Sequence, residues 1–262
     1  IGGTAIGRPG GEGLRGDVSI DSHGIPASSP ASGGKAIQTD PWTKPFMSAN
    51  LATPANVAHH FSVSRETLAR LETYADLLRQ WQTIKNLVSP STLDVLWPRH
   101  MADSLQLLAL APEAKVWLDL GSGAGFPGMV IAIAMADTPG VKVHLVESNA
   151  RKCAFLGEVA RRTRAPVEIH GGRIELLVEK RRIESVEVVT ARALAPLGKL
   201  LGFAHPFLSA GTRCLFLKGR DVDREIDEAR DHWQFDVRLV PSQTDEHGRI
   251  VILNSVNPIH KE

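Results

Sequence analysis

Cysteine is scarce in this chain: 262 residues contain two, Cys153 and Cys214. They fall far apart, in an expected helix and an expected strand, with no CxxC partner. Neither a disulfide framework nor a zinc site is indicated, and a reducing cytoplasm is the natural setting. The ten histidines show no HxxxH or comparable spacing, so no metal is expected. No run of about 18 apolar residues occurs and the N-terminus lacks the apolar core of a signal peptide, which disfavours membrane insertion or secretion. Net charge is also small, +1 from 30 basic and 29 acidic residues.

What is present is enough apolar material, 43% of residues, for one large domain or two small ones. The charge is unevenly spread. Between Arg151 and Arg182 nine basic residues (Arg151, Lys152, Arg161, Arg162, Arg164, Arg173, Lys180, Arg181, Arg182) face four acidic ones. Such a stretch is either a solvated helix face or a phosphate-facing patch that helps hold RNA.

Residues 1–46 are rich in Gly, Pro and Ser without periodicity and read as a flexible leader. Met47-Ser48 is a candidate natural start, which would make the leader an added or read-through extension. Residues 47–111 are expected to form a helical segment. From Ser64, Leu68, Leu71, Ala75, Leu78 and Trp81 recur at helical steps. A second helix is expected over Leu105 to Leu110. Between them lies a polar junction, Trp97-Pro98-Arg99-His100-Met101-Ala102-Asp103-Ser104. It either fastens the helical segment to the rest by caps and ion pairs or touches substrate.

Residues 112–262 alternate strand and helix. Strands are expected at 116–120, 141–147, 167–170, 186–191 and 213–217, with helices at 129–136, 149–164, 174–179 and 197–208 between them. A helix over 221–232 precedes two last strands, 235–240 and 250–256, joined by the polar turn Pro241 to Arg249. This order predicts an α/β fold: a doubly wound, seven-stranded Rossmann-like sheet ending in an antiparallel pair, with an N-terminal helical extension.

The first strand runs into the corner Leu118-Asp119-Leu120-Gly121-Ser122-Gly123-Ala124-Gly125-Phe126-Pro127-Gly128. Glycines there let the backbone turn sharply and let a cofactor lie against main-chain amides. Gly123 to Gly128 match GxGxxG, so a nicotinamide-dependent oxidoreductase must be considered. Three features favour S-adenosylmethionine. Asp119 can order the turn or reach the cofactor's ammonium. Pro127 has no N–H to offer a pyrophosphate. The antiparallel ending belongs to the methyltransferase sheet. Glu147, ending the second strand, can accept ribose hydroxyls from either cofactor, or partner the next helix start. Ile174 and Glu175 follow the third strand, where they could hold adenine or simply begin a helix. The expected cofactor contacts are Asp119, Gly121, Gly123, Gly125, Phe126, Glu147, Ile174, Glu175 and Arg192. A non-catalytic RNA-binding or assembly protein on the same fold is the third reading.

Lys85-Asn86-Leu87, Arg99-His100 with Asp103-Ser104, the LDLGSGAGFPG corner, Glu147, Arg173-Ile174-Glu175, Thr190-Ala191-Arg192-Ala193 and Leu217-Lys218-Gly219 together carry a resemblance. From about Val57 to Val256 the chain resembles the bacterial small-subunit (16S) ribosomal RNA guanine-N7 methyltransferases (RsmG/GidB). The resemblance implies a class I methyltransferase sheet, cofactor contacts at Gly121, Phe126, Ile174, Glu175 and Arg192, and a guanine of ribosomal RNA as substrate. The chain departs from the family at Leu253-Asn254, where a lysine is expected, and in the leader, which has no counterpart.

Guanine N7 carries a lone pair and no proton, so it can attack a sulfonium methyl without a general base. Amino-group methylation would call for an Asn-Pro-Pro-aromatic sequence where Thr190-Ala191-Arg192-Ala193 stands. Cytosine C5 chemistry would call for a placed cysteine, and Cys214 sits inside a strand. Arg192 and Lys218 end the fourth and fifth strands at the carboxyl edge and are the expected catalytic residues. An arginine bidentate to O6 and N7 would cover the atom to be methylated, so Arg192 should hold cofactor, phosphate or O6 alone. The expected partner is ribosomal RNA or the small ribosomal subunit, met by a monomer in the cytoplasm, with no membrane.

Overall fold

The central strand-forming runs of this chain are largely apolar at consecutive positions because those strands are covered on both faces, whereas the edge runs 167–171 and 233–241 alternate with exposed residues. In the computed structural model residues 1–2, 48–83, 87–179, 183 and 185–259 are described. Most of the expected leader, Met47, Lys85, Asn86, and Lys180 to Arg182 of the basic stretch lie outside them. The chain divides at residue 38/39 into two units, and every element named below belongs to the second, 39–262.

Its N-terminal part is helical. A 3-10 turn (Ser48–Leu51) leads into α1 (Pro54–His60) and α2 (Arg65–Gln82). Ser64 caps α2, its Oγ accepting the Thr67 amide at 3.1 Å, which satisfies one of the donors a helix start leaves over. α2 turns Leu71, Tyr74 and Leu78 inward, all fully buried. Full burial of a leucine contributes roughly 1.5–3 kcal/mol. A short α3 (Pro90–Leu93) follows, then a π-helical stretch (Trp97–Ala102) running into α4 (Asp103–Leu105) and a 3-10 turn (Leu108–Leu110). The helix expected over Leu105 to Leu110 is not formed: α4 ends at Leu105 and only the 3-10 turn follows. The polar junction is itself helical: Trp97, Met101 and Leu105 recur at four-residue steps and are buried, with His100 and Asp103 buried beside them.

The sheet consists of β1 (Val116–Leu120), β2 (Lys142–Glu147), β3 (Val167–Gly171), β4 (Val188–Arg192), β5 (Arg213–Lys218), β6 (Trp233–Pro241) and β7 (Arg249–Pro258). Its order is 3-2-1-4-5-7-6. β1 to β5 are parallel, and β7 runs antiparallel between β5 and β6. The connecting helices are α5 (Gly128–Ala134), α6 (Ala150–Thr163), α7 (Ile174–Glu179), α8 (Leu197–Ala204) and α9 (Val222–Arg230). α8 stops four residues short of the expected Leu208 because Pro206 interrupts it, and a 3-10 turn (His205–Phe207) completes the segment.

Alternation along each strand sends side chains to two cores. Trp117, Val143 and Leu145 pack with α2, α5 and α6, and Leu118, Leu120 and Val146 pack with α7, α8 and α9. The N-terminal helices share the first of these cores, so one apolar body joins them to the sheet. The order reverses between β1 and β4, which opens the crevice at the carboxyl ends where ligands bind in such sheets. Among the described residues no helix is long and apolar enough to cross a membrane.

Candidate active site

Beyond Leu120 the chain turns through Gly121 and Gly123, with φ of +67° and +61°. The Ser122 amide donates to the Val146 carbonyl at 2.9 Å, tying the turn to β2. At the end of β2, Glu147 accepts the Gly123 amide on one oxygen (2.9 Å) and the Asn149 amide on the other (2.7 Å). One carboxylate thus sets both the glycine corner and the start of α6. Asp119 is buried beneath the corner, where Thr190 Oγ1 donates to it at 2.9 Å and the Gly128 amide at 3.2 Å. Burial pushes its pKa up to about 6 against those hydrogen bonds. Of the two roles left open for Asp119, the geometry supports ordering the turn.

The helical segment closes the corner from above. The Tyr74 hydroxyl donates to the Ala124 carbonyl at 2.5 Å. The Phe126 ring stacks between Tyr74 (5.3 Å between centroids) and His100 (4.6 Å), both at 24°. Arg192 adds its guanidinium 5.1 Å from the Phe126 centroid.

Arg192 ends β4 and reaches back under the polar junction. It donates to the Arg99 carbonyl at 3.0 Å and to His100 Nδ1 at 2.5 Å, and pairs with Asp103 at 3.5 Å. Burial, then the Arg192 and Arg99 charges, lower the His100 pKa to about 3, so the imidazole is neutral. Burial raises the Asp103 carboxyl while Arg192 and Thr244 oppose it. Asp103 accepts from Thr244 Oγ1 and Gln106 Nε2, both at 2.8 Å. Gln106 accepts the Gln243 amide at 3.0 Å, and Arg99 pairs with Asp245 at 2.6 Å. The junction therefore fastens the helices to the β6–β7 turn, and at the same time His100 and Asp103 border the crevice.

The crevice is a cavity of about 660 Å³, within the range of small-molecule sites. Among the expected site residues it brings together Gly121, Gly123, Phe126, Arg192 and Lys218. A Cβ on Gly123 would meet only the Gly121 carbonyl, at 3.8 Å, so this face of the corner is open. Asp119, Gly125, Glu147, Ile174 and Glu175 are not on the wall. Gly125 departs most from expectation. Its φ is +102° and a Cβ there would lie 2.7 Å from Met129 Cβ and Tyr74 Oη, so the missing side chain lets α2 and α5 pack against the corner. Ile174 packs into the second core and Glu175 is exposed, at the start of α7 next to the Glu147–Gly171 end of the sheet.

Lys218 reaches the wall with its Nζ already engaged, by Glu225 and by the Ala195 carbonyl, each at 2.6 Å. That arrangement ties Lys218 to the start of α8. Cys214 is buried within β5 and its thiol is pushed up to about 12 by burial, which removes it as a nucleophile. Sequence reasoning missed Tyr74, Thr244 and Asp245. Tyr74 carries no signal beyond an aromatic on an amphipathic helix, and the other two sit in an ordinary polar turn.

The family model described as rRNA small subunit methyltransferase G (GidB) matches residues 67–250, which include the corner, the junction and the β6–β7 turn. Ribosomal RNA small subunit methyltransferase G of Methylorubrum extorquens is 53% identical over 213 residues, covering 81% of this chain and 99% of that one. The protein of the same name from a Bradyrhizobium species is 53% identical over 194 residues, covering 74% and 87%. Among solved structures, an O-methyltransferase from Bacillus cereus in complex with SAH superimposes with a TM-score of 0.50 at 14% identity, over 69% of this chain and 90% of that one. That likeness is one of fold. The sequence matches go further, and the chain belongs to the rRNA small subunit methyltransferase G family.

Proposed function

We propose that this protein transfers a methyl group from S-adenosylmethionine to N7 of a guanine in small-subunit ribosomal RNA. Family membership makes it a methyltransferase of small-subunit ribosomal RNA that uses S-adenosylmethionine. The choice of N7 rests on the state of the cavity wall. Each carboxylate and imidazole among its described residues is already engaged: Asp103 by Thr244, Gln106 and Arg192, His100 by Arg192, Glu225 by Lys218, and Asp245 by Arg99. None stands ready to take a proton, and N7 has none to give.

The corner fits the cofactor better than it fits a dinucleotide. A pyrophosphate needs free amides at the helix start, but Pro127 has none, the Gly128 amide donates to Asp119, and the Met129 amide to the Gly125 carbonyl. For S-adenosylmethionine the open turn Gly121–Gly123 and Phe126 would form the cradle. Glu147 keeps a lone pair on each oxygen for ribose hydroxyls, and Ile174 with Glu175 would border the adenine. When bound, the cofactor supplies an electrophilic methyl on a sulfonium. The protein's share is alignment, which can supply roughly 7–11 kcal/mol. Arg192 would hold phosphate, cofactor or guanine O6, and Lys218 would position the start of α8. The cationic wall residues Arg99, Lys152 and Arg249 suit a phosphate backbone. Action as a monomer is part of the proposal, and a ribosomal substrate supports the cytoplasm as its location.

The test is to incubate purified protein with small subunits lacking the modification and labelled S-adenosylmethionine, then map the label. A methyl on guanine N7 is expected. Label at another atom refutes the N7 assignment. Cofactor binding without methyl incorporation would favour the RNA-binding reading, and calorimetric binding of NAD in place of S-adenosylmethionine the oxidoreductase.

A further inference from the structure

Away from the crevice, β2 and β3 bring three ligating side chains to one face of the sheet. In the parallel register His144 stands opposite Glu168, and Val146 opposite His170. Glu168 and His170 are two residues apart, so they share a face, and His144 joins them from the neighbouring strand. No spacing along the sequence reveals this, because the ligands come from two strands.

We propose that His144, Glu168 and His170 form a binding site for one divalent transition-metal ion of the zinc class. His144 Nδ1 and His170 Nε2 face each other at 2.9 Å, and the two Glu168 oxygens lie 3.8 Å from His144 Nδ1 and from His170 Nε2. One ligand atom from each of the three residues lies within 4.8 Å of the others, so small side-chain rotations bring all three within reach of one ion at the roughly 2.0–2.2 Å of Zn–N and Zn–O bonds. Two imidazoles and a carboxylate, with a fourth position open to water, are a donor set that zinc accepts.

The surroundings agree with this. Both imidazoles are buried, while Glu168 is 45% exposed, which gives the ion a path from solvent. Without the ion the two rings share one hydrogen bond. To ligate, the donating ring moves its proton to its other nitrogen, and both rings turn their lone pairs toward Glu168. Lys142 Nζ, 2.9 Å from Glu168, competes for the carboxylate, but its side chain is 55% exposed and can swing into water. A bound ion would clasp β3, the sheet's edge strand, to β2.

The test titrates metal-stripped full-length protein with ZnCl2 by calorimetry, and with Co²⁺ by visible absorption. Wild type is expected to take up one equivalent, to show the visible bands of a four-coordinate Co²⁺ site, and to melt at higher temperature with zinc. His170→Gln should abolish uptake and Glu168→Gln weaken it at least tenfold. Glu168 is half in solvent, so that variant decides the matter even where His170→Gln does not fold. Absence of saturable uptake by wild type overturns the proposal. So does uptake in Glu168→Gln with unchanged affinity and spectrum, since the ion would then sit on other histidines.

Discussion

Arg192 Nη2 lies 2.5 Å from His100 Nδ1, a contact that fixes the charge and tautomer of the histidine. A guanidinium offers only donors, so Nδ1 accepts and the ring proton is on Nε2, a buried nitrogen with no hydrogen-bond partner. Protonating Nδ1 would set two cations against each other in a buried site.

This predicts a pH dependence of stability with a definite sign. The unfolded histidine titrates near 6.5 and the folded one near 3. Between those values the unfolded chain holds a proton that the native state lacks, so stability is full above about pH 6.5 and is lost as pH falls toward 3. The slope is about 1.4 kcal/mol per pH unit in mid-window. His100→Gln keeps an acceptor for Arg192 and cannot titrate. Unfolding free energies from urea titrations between about pH 4 and 6 should fall less steeply with falling pH in the variant, by about that slope. Asp119 and His144 titrate in both proteins and cancel in the comparison. Parallel curves would mean that His100 is not held neutral.

Arg192→Ala alone is a poor test of the active site. Removing one partner of a buried pair costs about 3–5 kcal/mol, and Asp103 would be left with Thr244 and Gln106 as its donors. The double variant Arg192→Met/Asp103→Asn removes both charges. It should recover most of the stability while methyl transfer stays about 10²–10³-fold below wild type, the usual loss when a placed electrostatic group is removed. Recovery of turnover along with stability would reduce Arg192 to a structural role.

The extent to which these features were legible from sequence follows from their physics. β1, β2, β4 and β5 could be read because strands covered on both faces are largely apolar, and β3 because Val167 and Ile169 alternate with polar residues. Gly121, Gly123, Phe126 and Arg192 could be read because ligands meet such sheets at strand ends. The junction from Trp97 to Ala102 hid its helical state because Pro98, Arg99 and His100 interrupt the apolar residues Trp97, Met101 and Ala102 that it buries. Gly125 matched a binding motif, yet its missing Cβ makes room for Tyr74 and Met129. The His144–Glu168–His170 cluster and the Asp103–Thr244 contact depend on strand register and loop placement, which no local pattern encodes.

Lys218 should separate from Arg192 by experiment. Glu225 Oε2 accepts both Lys218 Nζ (2.6 Å) and the Leu197 amide (2.7 Å), so the lysine steadies the acceptor that begins α8. Lys218→Met should cost about 1–3 kcal/mol in urea unfolding, the range for leaving a half-buried charged group short of a partner. Turnover should fall less than tenfold. Unchanged stability with a hundredfold loss of turnover would place Nζ among the reacting groups instead.

Tyr74 offers the most direct probe of how the helical segment governs the corner. Tyr74→Phe deletes one oxygen and keeps the ring that stacks on Phe126. The buried Ala124 carbonyl then loses the hydroxyl donor it has in the wild type, at about 1–3 kcal/mol. Ala124 follows Gly123 directly, so part of that loss should appear in the shape of the cradle. A share of 1.4 kcal/mol corresponds to about tenfold weaker binding of S-adenosylmethionine, measurable by calorimetry. Turnover at saturating cofactor should stay near wild type, because Tyr74 shapes the cradle and touches no reacting atom. If affinity is unchanged while stability drops, α2 supports the fold without setting the cofactor site. If turnover falls at saturation, the ring stack reaches the base as well.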